Sequence, residues 1–359
     1  MIINTLELTG KLLERYEKMH ARVAAYPGLL AYYALVQAGI EGNNEEYLNK
    51  AMTYLGQYPD HYDHPIYNFE SYRAGGLGKA LLVYKNYMPE HAEVLREYAE
   101  ITMKAPTTPE GYMCAPRDEI KRRTWIDIVM PTTPFMLFAG LTFNEEKYID
   151  FGADQCFKLY ELFLDRTCGL LHQAIGFMPD PERMSADHWG RGNGWGLVGL
   201  AALVEYLPAD SKHRPKAEKY LKDMMAALLP HQTARGLWRQ ELIEPLAWEE
   251  CSGTGLILYA MSIGMRMGLL DPAVYKEPFE KGIAGLAACC LDEQFATHRS
   301  CPGCLYPSCP GVQPGSVQAY ITGKLPTKDE PHSYGCIMLA MVEAHKQGIT
   351  EVDILSHIR

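Results

Sequence analysis

A chain of 359 residues with 47% hydrophobic side chains carries ample material for a sizeable core. Its formal net charge of −10 excludes nucleic acid as the expected partner, because neutralising phosphates needs clustered Lys and Arg. No window reaches the roughly 18 consecutive apolar residues of a membrane span, and Met1 to Arg15 lacks a basic segment followed by an apolar core, so no membrane partner and a cytoplasmic location are expected.

Apolar residues recur at three- and four-residue spacing through most of the chain. This predicts helices over Leu6–Ala24, Leu29–Ala38, Tyr47–Leu55, Leu77–Tyr87, Ala92–Met103 and Thr124–Ala139. The same pattern continues in Glu146–Phe163, Trp195–Tyr206, Ala217–Leu229, Gly253–Met267, Pro278–Cys290 and Tyr334–Lys346. Long Gly-, Pro- and aromatic-rich connections alternate with short ones. Convincing strands are few; Gly169–Gln173 and Gly236–Gln240 are the candidate hairpin arms. No Ser/Gly/Pro linker divides the chain, so residues 1–359 read as one domain. Helices in six hairpins close into an all-α (α/α)6 barrel, a six-hairpin toroid, with its long loops gathered at one end.

The ten cysteines are irregularly spaced and fit reduced thiols better than a disulfide scaffold. Cys301, Cys304 and Cys309 with His298 raise a zinc site. A structural zinc needs four ligands, often in two paired clusters, and only one close pair exists here. The segment therefore reads as a Pro/Gly-rich loop, and no metal is expected.

The chemically rich segments lie in or beside the long loops, where sites on rigid scaffolds concentrate. His188-Trp189-Gly190-Arg191-Gly192-Asn193-Gly194-Trp195 joins an imidazole, two indoles and a guanidinium. Arg offers a planar fork for a carboxylate, and Trp an apolar plate for a sugar ring. The bland alternative is a packed loop with a paired Arg. Gly is costly inside a helix, so the Gly-rich part is expected to open the following helix rather than sit in it. Asp127 stands in the apolar run Trp125–Met130. It is either a structural anion, capping a helix or pairing with Arg122 or Arg123, or a general acid raised by desolvation. His172, after Gly169-Leu170-Leu171, is either a core group or a pocket group. Glu250 or Ser252 is placed to cap the helix that follows. His332 faces the pocket or caps the last long helix.

These segments resemble, in order, motifs of the unsaturated glucuronyl and rhamnogalacturonyl hydrolases, glycoside hydrolase families 88 and 105. The resemblance rests on Trp125-x-Asp127 with Pro134-Phe135, on Gly169–His172, and on Trp189–Trp195. It continues in Gly236–Trp238 with Glu250–Thr254 and in Ser333–Gly335 running to Glu343. Together these cover roughly residues 65 to 346. Three departures stand out: Pro131 in the catalytic segment, no Asp in Asn68–Gly76, and the Cys301–Cys304 loop. The resemblance implies hydration of the vinyl ether of a 4,5-unsaturated uronic acid at the non-reducing end of a small oligosaccharide. Asp127 would be the general acid. Trp125, His172, His188, Arg191, Trp195 and His332 would bind substrate, with no cofactor. A conventional inverting glycosidase pairing Asp127 with Glu70 or Glu250 is the alternative on the same barrel, and a non-catalytic carbohydrate-binding protein is the other.

Overall fold

The computed structural model describes residues 1–20, 26–61, 69–116, 118, 122–303 and 310–354. Cys304, Cys309 and Asn68 lie outside the described residues. The helices are α1 (Thr5–Met19), α2 (Tyr26–Glu41), α3 (Glu45–Leu55), the short α4 (Glu70–Arg73), α5 (Gly76–Tyr84), α6 (Ala92–Thr102) and α7 (Val129–Phe143). They continue as α8 (Glu146–Phe163), α9 (Gly190–Tyr206), α10 (Arg214–Leu228), α11 (Cys251–Arg266), α12 (Pro272–Cys290), the short α13 (Val317–Gly323) and α14 (Pro331–Lys346).

Six of these form an inner ring. α2 packs on α5, α5 on α7, α7 on α9, α9 on α11, α11 on α14, and α14 back on α2. Inner helices are apolar on nearly every face; α11 is buried from Cys251 to Met265. The outer helices α1, α3, α6, α8, α10 and α12 bridge successive inner ones. Each buries one stripe, as α10 does with Ala217, Leu221, Met224, Met225 and Leu228. This is the expected (α/α)6 barrel. β1 (Ile2–Asn4) pairs antiparallel with the C-terminal strand Glu351–Asp353, joining the first and last elements beside α1.

One stretch, Ile126–Phe143, is long and apolar enough by composition to cross a membrane, and 78% of it is buried in the protein. It contains α7 of the inner ring. Its apolarity is that of a helix with neighbours on all sides.

Two expectations change. The predicted helix from Thr124 begins only at Val129. Thr124–Trp125 is extended as β2 and pairs with β3 (Ala174–Ile175), and Ile126–Ile128 is a 3-10 turn. Pro131 then falls in the first turn of α7, where its missing N–H costs no helical bond. The glycine-rich segment sits inside α9, as its first turns. A Cβ on Gly253 would lie 2.5 Å from the Gly190 carbonyl carbon, and one on Gly190 would lie 2.7 Å from Arg239 O. The starts of α9 and α11 therefore meet backbone to backbone. Close helix packing requires these glycines, and it outweighs their helix cost.

Candidate active site

Residues at or just before the starts of the inner helices converge at one end of the ring: Tyr26 (α2), Asp127 (before α7), Arg191 (α9), Glu250 (before α11), and Glu330 with His332 (α14). At the opposite end, Gln37, Tyr84, Tyr206, Arg266 and Lys346 line a separate cavity. The inner helices thus run in one direction and present their N-termini to the site.

Asp127 is held by the turn between β2 and α7. Its Oδ2 is shut from solvent and has no hydrogen-bond partner among the described residues. Burial pushes its carboxyl up to about 7, only partly opposed by the charge of Arg191. The arginines offered as its structural partners are engaged elsewhere. Arg122 pairs with Glu182 at 3.0 Å, and Arg123 with Asp118 at 3.6 Å.

Arg191 is 1% exposed. Its Nη1 donates to Ser252 Oγ at 3.0 Å and to the Cys301 carbonyl at 2.7 Å. Its Cζ sits 4.6 Å from the centre of the Trp189 ring. The guanidinium lowers the carboxyls of Asp127, Glu250 and Glu330 alike, which makes it the positive centre of the site.

Glu250 is the N-cap of α11. Its carboxylate accepts from Ser252 N at 2.6 Å, Ser252 Oγ at 2.6 Å and Gly253 N at 2.5 Å. The expected capping role is met. Burial raises its carboxyl despite Arg191. Glu250→Ala removes a cap and charge-assisted hydrogen bonds together. It should cost about 3 kcal/mol, read as a lower denaturant midpoint at unchanged slope.

His332 both faces the site and is oriented by its neighbours. Glu330 caps α14 by accepting from His332 N at 2.9 Å, and it also receives the His332 ring Nδ1. The other ring nitrogen bonds Tyr26 Oη, and Tyr26 stacks on Tyr72 with ring centres 5.6 Å apart. Burial pushes the Glu330 carboxyl up, but His332 and Arg191 outweigh it and hold it at about 2.

His172 is half-buried, with Nδ1 3.2 Å from the Asp187 carbonyl. His188 turns elsewhere: its Nε2 lies 3.1 Å from Asp165 Oδ2, and its backbone N–H donates to Glu241 Oε1 at 2.8 Å. Trp125 is buried between Phe69 and Phe177. Trp195, one helical turn after Arg191, is 1% exposed as Arg191 is, and packs with the core residues around it. Of the carboxylates proposed to partner Asp127, Glu70 pairs with Arg73 at 3.0 Å and Glu250 is the α11 cap.

The sequence reading missed Tyr26, Asp187, Glu241 and Glu330. Asp187 is fully buried, with Ser185 and Tyr320 near enough to its carboxylate to favour the charged form. Burial and the charge of Glu241 raise its carboxyl, and its own charge in turn raises Asp127. An aspartate beside His188 in a marked segment was the available signal. In the cysteine segment, Cys301 is buried and His298 Nε2 lies 2.9 Å from Asp292 Oδ2.

The family model of glycosyl hydrolase family 88 matches residues 7–347. The chain belongs to this family. It is 31% identical over 177 residues to an unsaturated 3S-rhamnoglycuronyl hydrolase of Formosa agariphila, covering 46% of each protein. It is 26% identical over 243 residues to an unsaturated rhamnogalacturonyl hydrolase of Bacillus subtilis, covering 66% of this chain and 69% of that one. The first match thus spans less than half of its relative. Among solved structures, a family 105 glycoside hydrolase of C. acetobutylicum superposes with a TM-score of 0.79 at 21% identity, over 94% of this chain and 99% of that one. This likeness bears on the fold.

Proposed function

We propose that this family 88 protein removes a 4,5-unsaturated uronic acid from the non-reducing end of lyase-generated oligosaccharides by hydrating the vinyl ether. Asp127 carries the reading. It is a desolvated carboxyl raised to about 7, so near neutrality a large fraction holds a proton to donate. Asp127 protonates C4. Water adds at C5, with the resulting carboxylate taking its proton. The hemiketal then opens and releases the next sugar. Arg191 attracts the uronate carboxylate to the start of α9, His172 hydrogen-bonds a ring hydroxyl or the water, and His332 lines the site while holding Tyr26 Oη. No cofactor enters these steps. Among the described residues no disulfide joins cysteines, which supports a reducing, cytoplasmic setting.

Asp187 favours a second reading. A second buried carboxyl whose charge acts on Asp127 is what a conventional inverting glycosidase requires as its general base, a role that needs Asp187 ionised while Asp127 keeps its proton. The test is to incubate the protein with lyase-derived disaccharides from pectin, ulvan and glycosaminoglycans. Hydration predicts loss of the conjugated ultraviolet absorbance together with sugar release, and no action on saturated analogues. Cleavage of saturated analogues with inversion selects the second reading. Binding without turnover leaves a carbohydrate-binding protein.

A further inference from the structure

Beside the site, the turn that follows α8 builds a cluster the proposed reaction does not use. Gly169 N donates to the Asp165 carbonyl at 2.7 Å and closes the turn. Thr167 donates to Asp165 Oδ1 twice, from N at 2.8 Å and from Oγ1 at 2.6 Å. This occupies Oδ1 and aims Oδ2 inward. There it lies 3.1 Å from His188 Nε2 and 3.8 Å from His172 Nε2. Cys168 Sγ lies 3.5 Å from the same His188 Nε2. One atom each from Asp165, Cys168 and His188 fall within 4.8 Å of one another.

These separations match a metal-ligand set. Zinc holds N and O at about 2.0–2.2 Å and S at about 2.3 Å, so tetrahedral geometry puts neighbouring ligand atoms roughly 3.3–3.7 Å apart. The two distances at His188 Nε2, 3.1 and 3.5 Å, already stand near those edges. A ligating His usually has its other ring nitrogen set by a carbonyl or carboxylate. His172 Nδ1 lies 3.2 Å from the Asp187 carbonyl; His188 Nδ1 is buried with no hydrogen-bond partner among the described residues, and Glu241 Oε1 stands 3.7 Å away, beyond hydrogen-bond reach. Glu241 is itself fixed by the His188 N–H, at 2.8 and 3.0 Å. One thiolate, one imidazole and one carboxylate form a borderline-soft set suited to zinc-class ions rather than calcium or magnesium.

We propose that Asp165, Cys168 and His188 bind one zinc-class divalent ion, with a fourth position facing His172. The ion would tie the end of α8 to the residue preceding Trp189 and Arg191. It would thereby position the start of α9, and it takes no part in the reaction proposed above.

The test uses the whole protein, stripped with chelator and titrated with Zn2+ and with Co2+. Expected are one ion per chain, a rise in melting temperature with Zn2+, and a thiolate-to-cobalt charge-transfer band. Cys168→Ser should abolish that band and weaken binding at least tenfold, and Asp165→Asn should weaken it similarly. A variant combining His298→Ala, Cys304→Ser and Cys309→Ser should bind as wild type does. Failure of the stripped protein to take up either ion overturns the proposal. So does binding that survives Cys168→Ser but is lost in the combined variant, which would place the ion in the later cysteine loop. All readouts are independent of turnover, so they stand whether or not the vinyl ether reading does.

Discussion

Asp127→Asn is expected to lower turnover of an unsaturated disaccharide at least about a hundredfold, the usual scale of losing a general acid, while binding survives. The amide keeps the shape of the side chain and cannot donate a carboxyl proton. The raised carboxyl adds a pH signature. Asp127 must be protonated to act, so wild-type kcat/KM should fall as pH rises through about 7. Stability carries the same signature with a definite sign. The unfolded carboxyl titrates near 3.8 and the folded one near 7. Between those values the folded state keeps a proton that the unfolded state has lost, so stability declines as pH rises across the window. Asp127→Asn removes this dependence. At pH 8 it should be more stable than wild type, by on the order of 2–4 kcal/mol. Denaturant midpoints of the two proteins at pH 5 and pH 8 check this. A folded Asp127→Asn protein with near-normal turnover would sink the mechanism.

Much of this architecture is written in hydrophobic spacing. Outer helices such as α10 show one apolar stripe, inner helices such as α11 are apolar all round, and both patterns carry the 3.6-residue period. The misreading at the start of α9 has a specific cause. Local propensity argues against Gly190, Gly192 and Gly194 in a helix, but a Cβ there would run into Arg239 O at Gly190, the Trp189 ring at Gly192 and the Leu256 side chain at Gly194. Asp127 stood out because a carboxylate in an apolar run is unusual, and Glu250 because a cap precedes its helix directly. Tyr26 with His332, 306 positions apart, has no such local mark, since only ring closure brings α2 against α14. Asp165 and Cys168, three positions apart, carried no mark of their own in the sequence. What the sequence hid was His188 turning back onto them from the start of α9.

Arg191→Ala is expected to reduce kcat/KM for unsaturated uronides roughly thirtyfold or more. Removing one partner of a buried charge contact costs about 2–5 kcal/mol, and each 1.36 kcal/mol is tenfold in rate. Arg191→Lys should recover only part of the loss, because an ammonium cannot reproduce the planar fork that meets Ser252 Oγ and the Cys301 carbonyl. Some stability will be lost as well, so the activity readout must separate substrate binding from packing. Two comparisons do so. On a methyl-esterified substrate the penalty should shrink, because the ester forms no ion pair. The pH profile should also move. Arg191 lowers the Asp127 carboxyl, so its removal lets burial push that group higher, and the alkaline fall in activity should shift to higher pH. A purely structural Arg191 would give equal losses on acid and ester with the profile unmoved. That result would reassign it to fastening α9 against α11 and the Cys301 backbone. A smaller loss on the ester together with an alkaline shift ties the substrate's charge and the acid's proton to the same guanidinium.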